Sequence, residues 1–349
     1  MLYRKLGSTD QEVSVICLGT MTWGEQNTKA QAHDQMSFAR ERGVNFFDAA
    51  EMYPVPPKAQ TQGRTEEYIG HWFKANPAER NQVVLASKVA GPSESMGAYL
   101  REGSLRLDRR NMETALHQSL KRMQTDYIDL YQLHWPERYV NNFGQLGYES
   151  KPDPEDCVPL AETLEVLNDF VVQGKVRHIG VCNETPWGVT HALKIAEQNN
   201  WQKLVSVQNP YSLLNRSYEI GLAEISLREQ CGLLAYSPLG FGVLTGKYRH
   251  GAKPEGARLT LFDRFQRYLN PQAQMATELY LTLADDFSVS PTQLALAYVN
   301  TRSFVSSNII GATTLAQLAE NIDSINFKLT DEMMQRIEAI HQVSSNPAP

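Results

Sequence analysis

Cysteine is scarce in this chain of 349 residues, and its four copies are widely separated. Cys17, Cys157, Cys182 and Cys231 form no CxxC pair. Disulfide frameworks and cysteine-based zinc sites depend on closely spaced cysteines, so we expect neither. The four thiols are expected to be reduced and mostly buried, as is usual in a cytoplasmic protein.

Long hydrophobic runs and basic clusters are also missing. No uncharged apolar stretch approaches the roughly 18 residues needed to span a bilayer, and residues 1–7 lack the apolar segment of a secretory signal. The net charge is only −6, and no basic cluster is interleaved with aromatic residues. We therefore expect a soluble, cytoplasmic protein with neither a membrane nor a nucleic acid as its partner.

Several catalytic motifs are absent as well. The sequence has no HExxH and no paired His/Cys spacing, so no metal site is predicted. It has no GxSxG nucleophile elbow. Gly240 and Gly242 match part of a dinucleotide fingerprint, but the third glycine is misplaced and no Rossmann unit surrounds them.

The sequence does contain a regular alternation of two hydrophobic periods. Short β-branched runs are followed by longer stretches with apolar residues at i, i+3 and i+4. The predicted strand and helix pairs are 15–18 with 28–42, 44–47 with 65–74, 83–87 with 108–123, 127–133 with 159–173, 176–181 with 186–198, 205–208 with 217–229, 232–236 with 291–301, and 307–310 with 314–325. Eight such units predict an α/β fold, a closed (β/α)8 TIM barrel.

Two flanking segments and three long loops complete the predicted architecture. Residues 2–14 are expected to form an N-terminal β-hairpin, and residues 330–343 an extra C-terminal helix. The long loops are 89–107, 135–157 and 237–271. Each loop follows a strand and is therefore expected at the carboxyl rim, where barrel active sites are built. No linker is visible, so residues 1–349 are predicted to be a single domain.

Four polar residues stand at the ends of three successive predicted strands. Asp48 follows the second strand, Lys88 the third and His134 the fourth, while Tyr53 lies five residues beyond Asp48. Each alone has an ordinary structural explanation, as a turn residue, a packing residue, a solvated strand end or a structural histidine. Neighbouring strands lie about 4.8 Å apart, so the four side chains can converge, and their coincidence favours a shared site.

The four groups together suit the protonation of an oxyanion as it forms, as in carbonyl reduction. A free phenol has a pKa near 10, and an ammonium beside Tyr53 is expected to lower it. Asp48 can keep a buried Lys88 charged. His134 can donate a hydrogen bond to a substrate carbonyl oxygen.

At this point the chain resembles the aldo-keto reductases nearly end to end. The segments that carry the resemblance are 18–24, 45–53 (Asn45-Phe-Phe-Asp48-Ala-Ala-Glu-Met-Tyr53), 119–134, 174–183 and 237–247. The insertion 54–65, together with 208–216, looks most like a bacterial subgroup of the family. The resemblance implies an NADPH-dependent reductase of aldehydes or ketones, with a small-molecule carbonyl substrate as partner, Tyr53 as proton donor, and Asp48, Lys88 and His134 in support.

The resemblance also implies a set of cofactor contacts. Asn183 and Gln208 would bind the nicotinamide amide, with Tyr236 as the stacking face of the ring. Ser237, Leu239, Gly242 and Lys247 would hold the pyrophosphate, and Gln317, Glu320 and Asn321 would surround the adenine. The other residues expected at the NADPH site are Thr20, Asp48, Cys182, Pro238, Gly240, Phe241, Gly311 and Thr313.

Two positions depart from the common family pattern. Cys182 stands where many members have a serine, which weakens one contact to the nicotinamide amide. Residues 311–321 contain no lysine or arginine for the 2′-phosphate of NADPH. The branch similar to potassium-channel β subunits uses an arginine in the preceding loop instead, and Arg258 matches that position.

Two other functions remain open at this level. A cofactor-bound regulatory or redox-sensing subunit, like the channel β subunits, would share the same residues. So would a barrel isomerase or lyase that uses the acid–base groups without nicotinamide. Trp23, Met52, Trp135 and residues within 138–150 are candidates to line the substrate pocket.

Overall fold

The computed structural model describes residues 1–103, 105–141, 143–145, 147–263 and 266–349. Within these ranges, eight parallel strands close into a barrel. The barrel strands are β3 (Ile16–Gly19), β4 (Phe46–Asp48), β5 (Val84–Val89), β6 (Ile128–Leu133), β7 (Val176–Cys182), β8 (Leu204–Pro210), β9 (Gly232–Tyr236) and β10 (Val305–Ile310). Their order around the barrel is β10-β3-β4-β5-β6-β7-β8-β9. The predicted (β/α)8 TIM barrel is confirmed.

Helices surround the barrel and bury their apolar faces against it. The helices of eight or more residues are α1 (Lys29–Glu41), α2 (Arg64–Ala75), α4 (Arg109–Met123), α5 (Leu160–Val172), α6 (Pro186–Asn199), α7 (Tyr218–Arg228), α9 (Pro271–Asp286), α10 (Pro291–Asn300), α11 (Leu315–Asp323) and α12 (Asp331–Val343). Two single-turn helices, α3 (Glu94–Gly97) and α8 (Arg258–Leu261), lie in loops. No helix of the described residues is long and apolar enough to cross a membrane.

Side-chain caps explain where several of these helices begin. Thr28 and Gln31 form a capping box at α1, and Asp108 accepts a hydrogen bond from the backbone of Asn111 at α4. At α6 and α10 a capping hydroxyl precedes a proline in the first turn, where a missing N–H costs nothing. Because such capping residues can be recognised in the sequence, most of the helix starts were predicted correctly.

The unit after β9 differs from the prediction because it contains two helices. The predicted pairing used only 291–301, whereas the structure also forms α9 from Pro271, capped by Asn270. The buried face of α9 includes Ala273, Ala276 and Thr277. These small or polar residues weaken the apolar period on which the prediction depended.

The N-terminal hairpin closes the amino end of the barrel. Strands β1 (Tyr3–Lys5) and β2 (Glu12–Ser14) pair antiparallel, as predicted for residues 2–14. Leu6 and Val13 are fully buried in a cluster that contains barrel residues such as Phe46. At the turn, Gly7 has a φ of 59°, and a Cβ there would lie 2.4 Å from the Val205 carbonyl oxygen. The hairpin therefore leaves the opposite, carboxyl end of the barrel uncovered, and the candidate active site lies at that end.

The three long loops do lie after the carboxyl ends of β5, β6 and β9. The first contains α3, and the third contains α8 and several 3₁₀ turns. Ser104 of the first loop, Asn142 and Leu146 of the second, and Arg264 and Phe265 of the third lie outside the described residues. The predicted C-terminal helix is confirmed as α12, capped by Thr330.

Close packing of α2 against α4 allows a direct test of the fold. A Cβ at Gly70 would lie 2.2 Å from the Arg122 carbonyl oxygen. We expect Gly70→Ala to lower the free energy of unfolding by about 1–3 kcal/mol, since the helix backbones must move apart. Apart from its chain neighbours, no described residue has an atom within 4 Å of a Cβ placed at Gly147, so the control Gly147→Ala should change stability by less than about 0.5 kcal/mol. Urea unfolding measures both, and equal effects would contradict this account of the packing.

Candidate active site

Strand register brings the predicted catalytic side chains to one end of the barrel. Gly19 pairs with Asp48, and Lys88 pairs with Gln132 on the next strand. Lys88 lies within β5, one residue before its end, because the ladder continues through Val89. The backbone N–H of His134 donates to the Val89 carbonyl oxygen at 2.9 Å, which extends the ladder just past β6.

A fully buried ion pair forms the centre of the site. The Lys88 ammonium donates to Asp48 Oδ2 at 2.6 Å, to the Ala49 carbonyl oxygen at 2.8 Å and to the Tyr53 hydroxyl at 3.4 Å. Lys88 has no exposed surface. Burial alone would lower the pKa of Lys88, but Asp48 and Tyr53 outweigh it and the net shift is upward. Lys88 therefore carries its charge at neutral pH.

Amide side chains hold the other oxygen of Asp48. Gln208 donates to Asp48 Oδ1 at 2.8 Å, and Gln132 lies 3.4 Å from the same atom. Thr20 donates its hydroxyl to the Asp48 carbonyl oxygen at 2.7 Å. The carboxylate is thus fixed on both oxygens. Gln132 was not predicted, because it lies inside β6 rather than just after its end.

The phenol of Tyr53 has a different net pKa from the one expected. Burial raises the pKa of Tyr53 to about 12, while the Lys88 ammonium acts in the lowering direction. The sequence prediction had the sign of the lysine's effect right and the net shift wrong. The pKa rises because burial removes the phenolate from water, and this cost exceeds the stabilisation of the phenolate by one ammonium 3.4 Å from the hydroxyl.

His134 completes the group as a neutral imidazole. Burial, together with the charge of Lys88, holds the pKa of His134 well below its usual value. Its ring lies edge-on to Tyr53, with 5.8 Å between ring centroids. The buried Nδ1 atom has no hydrogen-bond partner among the described residues. At neutral pH such a ring offers one N–H and one lone pair.

These groups open onto a large cavity at the carboxyl end of the barrel. Its volume is about 1750 Å³, beyond the roughly 300–1,000 Å³ of pockets for drug-sized ligands. Asp48, Tyr53 and His134 line it, with Lys88 directly behind them. Every residue predicted to bind the cofactor lines the same cavity except Gly240, which is buried beside it. The cavity therefore has room for a dinucleotide and a second small molecule.

The cavity wall at β7, β8 and β9 is already hydrogen-bonded internally. Asn183 donates to the His134 carbonyl oxygen at 2.8 Å and accepts from the Tyr236 hydroxyl at 2.6 Å. The Cys182 thiol lies 3.8 Å from Gln208 Oε1. Asn183 has a φ of 55°, in the left-handed region that asparagine tolerates better than most residues. The two amides expected at the nicotinamide are thus held in place by the protein itself.

Two basic side chains, Lys247 and Arg258, lie near each other where the phosphates of the cofactor were predicted to bind. The pKa of Lys247 is lowered by burial and by the nearby charge of Arg258. Among the described residues no carboxylate forms an ion pair with Lys247. The Lys247 side chain crosses Gly242, where a Cβ would lie 2.6 Å from its Cε atom. Adjacent cations with a glycine that permits close backbone approach fit a polyanion such as a pyrophosphate.

The predicted adenine end lies at the start of α11. Gln317 Oε1 accepts from the Thr313 backbone at 3.0 Å, and Asn321 donates to the Gly311 carbonyl oxygen at 3.1 Å. Glu320 accepts from the Ser290 hydroxyl at 2.6 Å. Ser290 also lines the cavity and is not among the residues predicted from the sequence.

Of the residues predicted to line a substrate pocket, Trp23 is placed elsewhere. It is fully buried and donates to Gln35 Oε1 at 3.0 Å, so it is a core residue. Met52, Trp135, Phe143 and Gly144 do line the cavity. Among the described residues no cluster of three or more His, Cys, Asp or Glu side chains is arranged to hold a metal ion.

Comparison with known proteins agrees with the barrel fold. The sequence model of the aldo/keto reductase family matches residues 15–342. This chain belongs to that family. Protein tas of Escherichia coli (strain K12) is 50% identical over 349 residues, covering all of both chains, which confirms the expected bacterial subgroup.

More distant family members are also similar to this chain. An aldo-keto reductase of Babesia bovis is 38% identical over 275 residues, which cover 75% of this chain and 96% of that protein. A putative voltage-gated potassium channel subunit beta of Schizosaccharomyces pombe is 29% identical, covering 97% of this chain and 92% of that protein. Membership of the family makes the protein an oxidoreductase.

A second buried ion pair, missed in the sequence, supports the segment that carries Tyr53. Glu51 Oε1 accepts from the Ala90 backbone at 2.7 Å and lies 3.5 Å from the Arg101 guanidinium, which also donates to the Ala90 carbonyl oxygen. Burial raises the pKa of Glu51, and Arg101 opposes that shift. The pair spans 50 residues of sequence, so no local pattern could have signalled it.

We expect removal of one member of this pair to be strongly destabilising. Arg101→Met should lower the free energy of unfolding by about 3–5 kcal/mol, since it leaves Glu51 buried without a cation. The double variant Glu51→Gln with Arg101→Met should lose less free energy of unfolding than Arg101→Met alone, because it leaves no buried charge without a partner. Arg109→Met removes an ion pair that is about half exposed and should cost less than about 1 kcal/mol. Urea unfolding tests the series, and a double variant no better than Arg101→Met would refute it.

Proposed function

We propose that the protein is an NADPH-dependent reductase that converts an aldehyde or ketone into an alcohol, working as a single domain of residues 1–349. The observation that carries the proposal is the line of hydrogen bonds from Asp48 through Lys88 to the Tyr53 hydroxyl, which opens into the large cavity. The cytoplasmic location expected from the sequence stays a prediction.

When bound, NADPH supplies the hydride. Tyr53 would donate its hydroxyl proton to the substrate carbonyl oxygen as negative charge develops there. Lys88 would stabilise the phenolate that remains, and Asp48 keeps that lysine charged. The neutral His134 would donate a hydrogen bond to the same carbonyl oxygen and fix its direction. One proton from Tyr53 and one hydride complete the alcohol.

The high pKa of Tyr53 has a consequence for this chemistry. A phenol with a pKa of about 12 is fully protonated at neutral pH, so it is always ready to act as an acid. An alkoxide is a much stronger base than the phenolate, so the transfer runs downhill. Lys88 makes the phenolate less unfavourable than burial alone would allow.

The cofactor would be held along the cavity from β7 to α11. Asn183, Gln208 and Cys182 would face the nicotinamide, and Tyr236 would stack on it. The loop of 237–247 and Lys247 would hold the pyrophosphate. Arg258, whose guanidinium lies 5.2 Å from the Phe241 ring centroid, would bind the 2′-phosphate that distinguishes NADPH from NADH.

Substitution of the proposed acid tests the mechanism. Tyr53→Phe should lower kcat for carbonyl reduction roughly 10²–10⁴-fold, while NADPH binding stays unchanged, because only the transferable proton is lost. Tyr131→Phe is the matched control, since its hydroxyl is also buried but lies away from the cavity. Steady-state consumption of NADPH measures both variants. An unchanged turnover number for Tyr53→Phe would remove Tyr53 from the mechanism.

Cofactor preference tests the role of Arg258. Arg258→Ala should weaken NADPH binding roughly ten- to a hundred-fold and NADH binding much less, since only NADPH carries the 2′-phosphate. Lys253→Ala removes a neighbouring exposed cation outside the cavity and should change neither affinity. Fluorescence titration gives the two dissociation constants. Equal losses for the two cofactors would contradict this role.

The alternative of a regulatory, redox-sensing subunit is distinguished by turnover. It is motivated by relatives named as potassium channel subunits beta, at 27–29% identity. A sensor would oxidise bound NADPH about once, whereas a reductase would consume many equivalents. A screen of aldehydes, ketones and quinones with excess NADPH separates the two.

A further inference from the structure

Gln132 is a buried polar residue to which the proposed chemistry gives no role. It has no exposed surface and does not line the active-site cavity. On β6 it pairs with Lys88 of β5 on one side and with Gly180 of β7 on the other. A polar side chain at such a depth requires hydrogen-bond partners, and the partners of Gln132 indicate what it does.

The side chain of Gln132 joins two groups of the site. Its Nε2 donates to Asp48 Oδ1 at 3.4 Å, and its Oε1 accepts from Gln208 Nε2 at 3.3 Å. Gln208 lies on β8, so β7 runs between the two glutamines, and there Gly180 has no side chain to obstruct them. A Cβ at Gly180 would lie only 3.3 Å from Gln132 Cγ. The glycine therefore leaves the space in which the two amides meet.

The carboxylate of Asp48 decides which way each amide faces. An ionised carboxylate only accepts hydrogen bonds, so both glutamines turn their NH₂ groups towards it. Gln208 Nε2 lies 2.8 Å from Asp48 Oδ1. Once Gln132 has turned its Nε2 to Asp48, its Oε1 is available to the second N–H of Gln208. A reversed Gln208 amide would place its oxygen against two acceptors, which is unfavourable.

This arrangement leaves Gln208 with an acceptor, and no donor, for a ligand. Both of its side-chain N–H bonds are used inside the barrel. Its Oε1 accepts only from the Cys182 thiol among the described residues, at 3.8 Å. Gln208 lines the active-site cavity, and an oxygen with a spare lone pair at the cavity wall fits an N–H donor. The carboxamide of a nicotinamide ring carries such a donor.

We propose that Gln132 is a positioning residue for the cofactor. It holds the Gln208 amide with Nε2 towards Asp48, so that Oε1 is offered to the carboxamide N–H of a bound nicotinamide. The site then selects a ring substituent that donates a hydrogen bond, and a substituent that cannot donate binds more weakly. The inference rests on the proposed function, because it requires NADPH in the cavity.

A cofactor analogue without the donor tests this role. In the 3-acetylpyridine analogue of NADPH a methyl group replaces the amide NH₂, so the analogue has no N–H for Gln208. Gln132→Met preserves the size of the side chain and leaves the second N–H of Gln208 without its acceptor. We expect it to weaken NADPH binding roughly three- to ten-fold and binding of the analogue by less than about two-fold. Fluorescence titration measures both dissociation constants.

The pair of cofactors separates a positioning role from a general loss of structure. A variant that merely distorts the barrel would bind both cofactors more weakly and to the same extent, and that result would overturn the proposal. Retained affinity for the analogue shows that the Gln132→Met protein is folded. Ser206→Ala is the matched control and should change neither affinity. Ser206 is also fully buried on a barrel strand and does not line the cavity, and its hydroxyl has no hydrogen-bond partner among the described residues.

A double-mutant cycle tests whether Gln132 acts through Gln208. Gln208→Met removes the amide itself and should weaken NADPH binding at least as much as Gln132→Met does. Adding Gln132→Met to Gln208→Met should then cause no further loss, because the group that Gln132 positions is already gone. Losses that add in the double variant would overturn the proposal.

The outcomes separate this proposal from the proposed function. If Gln132→Met weakens binding of NADPH and of the analogue equally, Gln132 has no positioning role and the reductase is unaffected. If the expected binding pattern is found but no carbonyl compound is turned over with excess NADPH, the positioning role stands and the reductase is wrong. If the wild type binds no NADPH, both proposals are wrong.

Discussion

The ion pair between Lys88 and Asp48 is the interaction on which the rest of the site depends. A barrel interior is normally filled by layers of branched apolar side chains, and here one layer contains an ammonium without any exposed surface. Such a charge is tolerated only with a close partner and further hydrogen bonds. The amides of Gln208 and Gln132 and the hydroxyl of Thr20 satisfy the remaining groups of Asp48, so they follow from the same requirement.

The low-polarity surroundings of this pair shift the pKa values of its neighbours Tyr53 and His134 in opposite directions. They raise the pKa of Tyr53 and lower the pKa of His134, because each shift favours the uncharged form. The Lys88 ammonium opposes the first shift and adds to the second. Burial thus leaves a neutral phenol and a neutral imidazole side by side, and both can donate hydrogen bonds to the same oxygen.

Much of this arrangement could be predicted because it is local in sequence. Asp48 and His134 come directly after apolar runs, and the barrel topology then brings their strands together. The helix α9 was missed because alanine and threonine dilute its apolar face. The Glu51–Arg101 pair could not be seen because its members are far apart in sequence. The net pKa shift of Tyr53 depends on depth of burial, which only the folded chain defines. The catalytic and cofactor roles themselves stay predictions.

The Glu51–Arg101 pair also links the loop that lines the cavity to the segment that carries Tyr53. Arg101 belongs to the loop that supplies Pro92 and Met96 to the cavity, while Glu51 lies two residues before Tyr53. Leu100 and Leu105 of the same loop pack with Met52 and Tyr53 in one apolar cluster. The loop that lines the cavity and the segment that carries the Tyr53 phenol are therefore packed together and joined by an ion pair. A substitution that reshapes this loop is therefore transmitted to the segment of Tyr53, so the shape of the cavity and the position of the phenol are not independent of each other.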